Sequence, residues 1–112
     1  MPDEIDRITF NELKQMSGAD FIGELIDTFL EDAPKLIAAM RSSLSAGNAE
    51  TFRRAAHSLK SNAATFGARH LSGLARDLES RGRDGSLIGA GPLLDDVEKA
   101  LRAMAAELQS LK

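Results

Sequence analysis

The chain has 112 residues, of which 14 are basic and 17 acidic, for a formal net charge of −3. That size suits one domain with a modest core, and the slight acidic excess argues against a general nucleic-acid binder, which needs surplus Lys and Arg to release counterions. With no Cys there is neither a disulfide framework nor thiolate chemistry, and five Phe, the only aromatic residues, are too few for base-stacking platforms.

The segment TFNELKQMSG opens with Thr9 as a candidate N-cap, has Glu12 three residues later and stops at Gly18, which predicts a short first helix. From Asp20 to about Ser45, Phe21, Ile22, Leu25, Ile26, Phe29, Leu30, Ala33, Leu36, Ile37, Met40 and Leu44 recur at helical spacing, with Pro34 expected to bend the helix. Asn48 then caps a third helix from about Ala49 to Phe66, ended by Gly67. A fourth runs from about Ala68 to Arg81 with Leu71, Leu74, Ala75 and Leu78 inward. After the glycine-rich loop GRDGSLIGAG, Pro92 marks the first residue of a last helix striped by Leu93, Leu94, Val97, Leu101, Met104, Leu108 and Leu111. Met16, Met40 and Met104 read as core filler. Nothing alternates with period two for long enough to form a strand.

The expected fold is therefore all-α: an antiparallel four-helix bundle with a short additional N-terminal helix, one domain over residues 1–112. No apolar run reaches membrane length and MPDEIDR lacks a signal-peptide pattern, so a cytoplasmic monomer with no membrane and no nucleic-acid partner is expected. The initiating Met and the length favour a free-standing protein over an excised domain.

The third helix carries the chemistry. At 3.6 residues per turn, Phe52, Ala55, Ala56, Leu59, Ala63 and Phe66 fall within an arc about 100° wide, the core face, and His57 lies roughly 150° from its centre. His57 therefore points outward. Arg53 is four residues back, Lys60 three ahead and Ser61 four ahead, with Ala64 continuing the column. A phosphoryl group on the imidazole would carry about two negative charges, which Lys60 could partly neutralise. Ser61 and Ala64 are small enough to admit a partner. Gly67 reverses the chain ten residues after His57 and twelve before Glu79, which brings Glu79 level with His57 on the adjacent antiparallel helix. Glu79 could accept from Nδ1–H and leave Nε2 to attack.

These residues carry a resemblance. AHSLKSNAATFGA, Ala56 to Ala68, resembles the signature of the histidine phosphotransfer (HPt) domains of two-component relays: His, two residues, Lys, a small residue, five residues, Gly. His57, Lys60, Ser61 and Gly67 match it position by position, and FLEDAPKLIAAMRSSLSAGN is similar to the helix before that motif, so the similarity spans roughly residues 17 to 81. Ser61 departs from the commoner Gly. The resemblance implies that His57 accepts a phosphoryl group from a receiver-domain aspartate and passes it to another, with Lys60 in support and Glu79 orienting the ring. It implies receiver domains of response regulators or hybrid histidine kinases as partners, docking on the third helix at Arg53, Ser61, Ala64, Gly67 and Ala68 with flanking parts of the second. It implies a phosphocarrier without autonomous catalysis, holding no cofactor; Mg2+ belongs to the receiver.

Other readings compete with this one. An exposed helical His alone is ordinary surface, and only the Lys60, Ser61 and Gly67 spacing lifts His57 above that. His70 has no such company and reads as polar surface; thirteen residues from His57 across a turn, it makes no metal site. Arg53 and Arg54 could attract an acidic receiver pocket, but Arg53 is equally at home as a solvated charge and Arg54 more so. The glycine-rich loop lacks a phosphate-binding pattern. An alternative is an adaptor that binds receivers without being phosphorylated. An enzyme using His57 as a general base would need a neighbouring nucleophile and an oxyanion site, and neither is in evidence.

Overall fold

Apolar residues at helical spacing build five helices in the computed structural model: α1 Arg7–Ser17, α2 Ile22–Ala46, α3 Ala49–Thr65, α4 Arg69–Arg83 and α5 Ala90–Leu111. The structure describes residues 4–111; the remaining four positions of the expected 1–112 domain lie outside the described residues. Among the described residues there is no strand. Helices α2 to α5 form the bundle, and α1 covers the end where α3 turns into α4.

The helix ends follow local chemistry. The Asn48 side chain accepts the Thr51 N–H at 3.1 Å and caps α3. Thr9 is not the cap of α1. The first turn closes earlier, with Phe10 N donating to Asp6 O at 3.0 Å, and Thr9 sits inside the helix donating its hydroxyl to the Asp6 carboxylate at 2.7 Å. α2 continues through Pro34, although proline removes one helical hydrogen bond there. Pro92 is the third residue of α5 rather than its first, which costs nothing because first-turn N–H groups have no helical acceptor. The glycine-rich stretch is a loop only in its middle: Gly82 and Arg83 end α4, Ala90 and Gly91 begin α5, and residues 84–89 make the connection. Gly82 is buried, and a Cβ there would come within 2.8 Å of Arg53 Cβ, so its bare backbone lets α3 and α4 touch.

The core is continuous through all five helices. Ile26, Ala33 and Met40 of α2, Phe52, Ala56, Leu59 and Ala63 of α3, Leu71, Ala75 and Leu78 of α4, and Leu94, Val97, Met104 and Leu108 of α5 are fully buried. The alanines of α3 keep that helix slim on the side facing its neighbours, while Phe29 and Phe66 meet at 5.3 Å between ring centres. Met16 departs from the expected pattern: it is 86% exposed, because α1 packs through Phe10 and turns Met16 to solvent. The end is closed by Asp6 N donating to Gly67 O at 2.8 Å and by the Glu107 carboxylate, which accepts from Glu4 N, Ile5 N and the Arg7 guanidinium. Arg41 joins α2 to α5 through Asp95 and Glu98.

Leu59 lies under His57 on the opposite side of α3 and is fully buried. Leu59→Ala is expected to cost about 2–4 kcal/mol by leaving a cavity. Urea denaturation should show a lower midpoint with an unchanged slope.

Candidate functional site

Helix α3 holds its core face against α2 and α4, so its remaining face must look outward. His57 stands there with its side chain 55% exposed. Helix α4 runs antiparallel beside it and brings in Glu79, whose side chain is only 12% exposed. The Glu79 carboxylate is used twice. Oε2 meets His57 Nδ1 at 2.5 Å, and Oε1 accepts from Lys60 Nζ at 2.6 Å.

The Lys60 ammonium holds the Glu79 carboxyl below its ordinary range, against the opposing effect of burial, and the bond to His57 adds to the lowering. An ionised carboxylate has no proton to give, so the hydrogen of this bond belongs to Nδ1. The neutral ring then carries its lone pair on Nε2, which has no hydrogen-bond partner among the described residues. The arrangement presents a nucleophile of fixed tautomer to solvent.

The sign of the pH effect follows. A carboxylate whose folded pKa is depressed stabilises the fold above its unfolded value, here 4.5, and loses that contribution as pH falls from there through the folded value. Glu79→Gln retains an acceptor for Nδ1–H without the charge. Its stability should therefore fall less than wild type between pH 4.5 and more acid conditions, read by denaturant titration at stepped pH. Identical pH slopes would mean that Glu79 is not part of the acid response.

The other sequence-derived residues divide. Arg53 is turned to Glu50, donating from Nε at 3.1 Å and Nη2 at 2.6 Å, and Arg54 shares the same carboxylate, which is pulled down to about 2 chiefly by the Arg53 hydrogen bond. Ser61 and Ala64 are exposed, in the same column as His57, and line a groove between α3 and α4. Gly67 and Ala68 do not offer a contact surface. Gly67 is buried under the Asp6 backbone and reaches the groove only at its end. Ala68 is fully buried as the N-cap residue of α4, its N–H donated to Ala63 O at 3.0 Å. Both belong to the helix reversal that sets α4 beside α3. His70 is exposed, and no cluster of three or more His, Cys, Asp or Glu suited to a metal occurs among the described residues.

Sequence reasoning missed the ion pair between Lys60 and Glu79, because Lys60 was matched to an incoming anion and not to a resident one. The available signal was the helix count that levels Glu79 with His57: a residue three positions further along α3 lies one turn away and within reach of the same carboxylate.

Comparisons with known proteins give the family and the fold. The Hpt domain family model matches residues 24–111. A solved structure, histidine-containing phosphotransfer protein B (HptB) from Pseudomonas aeruginosa PAO1, superposes with a TM-score of 0.92 at 26% identity, covering 98% of this chain and 95% of that one. No curated protein matches the sequence. Among the described residues, no helix is long and apolar enough to cross a membrane. A helical bundle with an exposed, carboxylate-held histidine, matched by that model over most of its length, places the chain in the Hpt domain family, the histidine phosphotransfer domains of two-component signalling.

Proposed function

We propose that His57 carries a phosphoryl group between the aspartates of receiver domains, in response regulators or hybrid kinases. The observation that carries this reading is the ring itself: exposed, with Nδ1–H committed to an ionised Glu79 and Nε2 left for attack. Nε2 attacks the phosphorus of an aspartyl phosphate. The N–P bond forms as the acyl O–P bond breaks, and the electron pair leaves with the aspartate carboxylate. The ring, still protonated at Nδ1, becomes cationic, and the Glu79 carboxylate stabilises that charge. Transfer onward reverses the step with a new aspartate.

Lys60 gives one of its three N–H bonds to Glu79, and the other two are free to meet phosphoryl oxygens. In this reading the chain has no catalysis of its own. The receiver contributes Mg2+ and the acidic pocket that closes over His57. Docking on the exposed face of α3 should be small and transient, because each donor must leave before the next acceptor binds.

The test is phosphate uptake from a purified, phosphorylated receiver. The expected product is acid-labile and base-stable, and fragmentation maps it to His57. Stable binding of receivers without any label on the chain would favour a receiver-binding adaptor instead. Ala64→Arg should slow transfer while leaving thermal unfolding unchanged, since Ala64 is exposed in the His57 column.

A further inference from the structure

Between α3 and α4 runs an open groove of about 570 Å³, beginning at Lys60 and extending past Ser61, Ala64, Ser72 and Gly73 toward Gly67 and Thr9. Among the described residues that line it, the charged ones are Lys60, Arg69 and Arg76. This is a local reversal of sign in a chain whose net charge is −3. Lys60 is countered by Glu79 and Arg69 by Asp6 at 3.0 Å, but Arg76 is exposed and has neither an ion pair nor a hydrogen bond among the described residues.

The floor holds a second clue. Gly73 sits inside α4, where glycine is a poor helix residue. Nothing in the fold requires it: its φ is not positive, and an added Cβ would meet no atom within 4 Å. Contrast Gly82 on the same helix, where a Cβ would strike Arg53. A side chain is therefore missing at Gly73 without any internal reason, at the middle of a cationic groove that starts at the lysine sharing a carboxylate with His57.

We infer that this groove seats an acidic segment of the receiver domain that exchanges phosphoryl groups with His57. The inference rests on the proposed phosphotransfer role and extends the docking surface from α3 onto α4. Arg76 supplies the uncompensated charge for that segment, and Gly73 with Ser61, Ala64 and Ser72 supplies the clearance. Opposite charge accelerates encounter and fixes orientation more than it tightens the complex.

The experiment first loads His57 from phosphoramidate, a small donor that needs no docking surface, and then follows transfer to a purified receiver domain that accepts from the wild-type chain. Arg76→Glu should slow transfer about tenfold at low salt, with the difference shrinking toward ~1 M salt, where screening reaches about 3 Å. Gly73→Tyr should slow transfer comparably at any salt. Gly23→Tyr, placing the same bulk at another open helical glycine on α2, should transfer at the wild-type rate. Circular dichroism verifies that each variant is folded. Amide shift mapping with unphosphorylated receiver should move Ser61, Ser72, Gly73 and Arg76.

Wild-type rates for both Arg76→Glu and Gly73→Tyr, or shifts confined to the α2–α3 side around Leu25, Phe29 and Asn62, would overturn the groove and leave the carrier role standing. Failure of the wild-type His57 to take phosphate from phosphoramidate would instead remove the carrier reading, and the groove inference with it.

Discussion

His57→Gln is expected to take up no phosphate from a phosphorylated receiver: label on the chain should fall to background, while the bundle should unfold at nearly the wild-type temperature. The two halves of this result have separate causes. Glutamine keeps an amide of similar reach, and its NH2 can still donate to Glu79, but it has no basic ring nitrogen to form an N–P bond. The ring is 55% exposed and off the core face, so its removal opens no cavity. Changes at such surface positions usually stay within about 0.5 kcal/mol. The measurement is label on the intact protein with a parallel thermal scan. Undiminished uptake would place the phosphorylated group elsewhere and end the carrier proposal.

Gly67→Val should be the most damaging single change to the fold outside the core. The backbone there has φ of 81°, the left-handed region in which a β-branched residue is strained. A Cβ would also come within 2.8 Å of the Asp6 carbonyl oxygen and 3.0 Å of Thr9 Cβ. Neither neighbour can yield easily, because Asp6 N is bonded to the Gly67 carbonyl itself. Strain and overpacking together should cost about 3–5 kcal/mol. At about 4 °C per kcal/mol, between the scales for smaller and larger domains, even the lower figure shifts the melting temperature by roughly 12 °C. Gly47 makes the control. Its φ is 69°, yet nothing lies within 4 Å of an added Cβ, so Gly47→Val suffers the backbone strain alone, about 1–2 kcal/mol. Equal losses at the two positions would show that the contact with Asp6 carries no weight.

The bundle was legible in the sequence because apolar stripes at helical spacing leave little choice. Every residue assigned to the core face of α3, from Phe52 to Phe66, is buried. Helix starts were read less well. Thr9 looks like a cap by residue type, but Ile5 is buried and pulls the chain into register three residues earlier at Asp6. GRDGSLIGAG looks like a loop by glycine content, yet Gly82 is glycine for the sake of α3, a reason that exists only in three dimensions. The same limit applies to the contact surface. Gly67 and Ala68 share a motif with His57, and motif membership cannot separate a residue that touches a partner from one that turns the chain. Glu79 could be found from one sequence because both helices are measured from the same reversal at Gly67, whereas the double use of its carboxylate depends on where the Lys60 side chain bends.

That double use has a kinetic meaning. Each oxygen of one carboxylate is occupied, so the imidazole is denied free rotation about its side-chain bonds before anything approaches it. In the proposed carrier role, a visiting receiver would therefore meet the same attacking atom, aimed the same way, on every encounter. Differences in rate among receivers would then originate in the receivers and in how they seat, and under that proposal a single small bundle could serve unlike clients without being retuned for any of them.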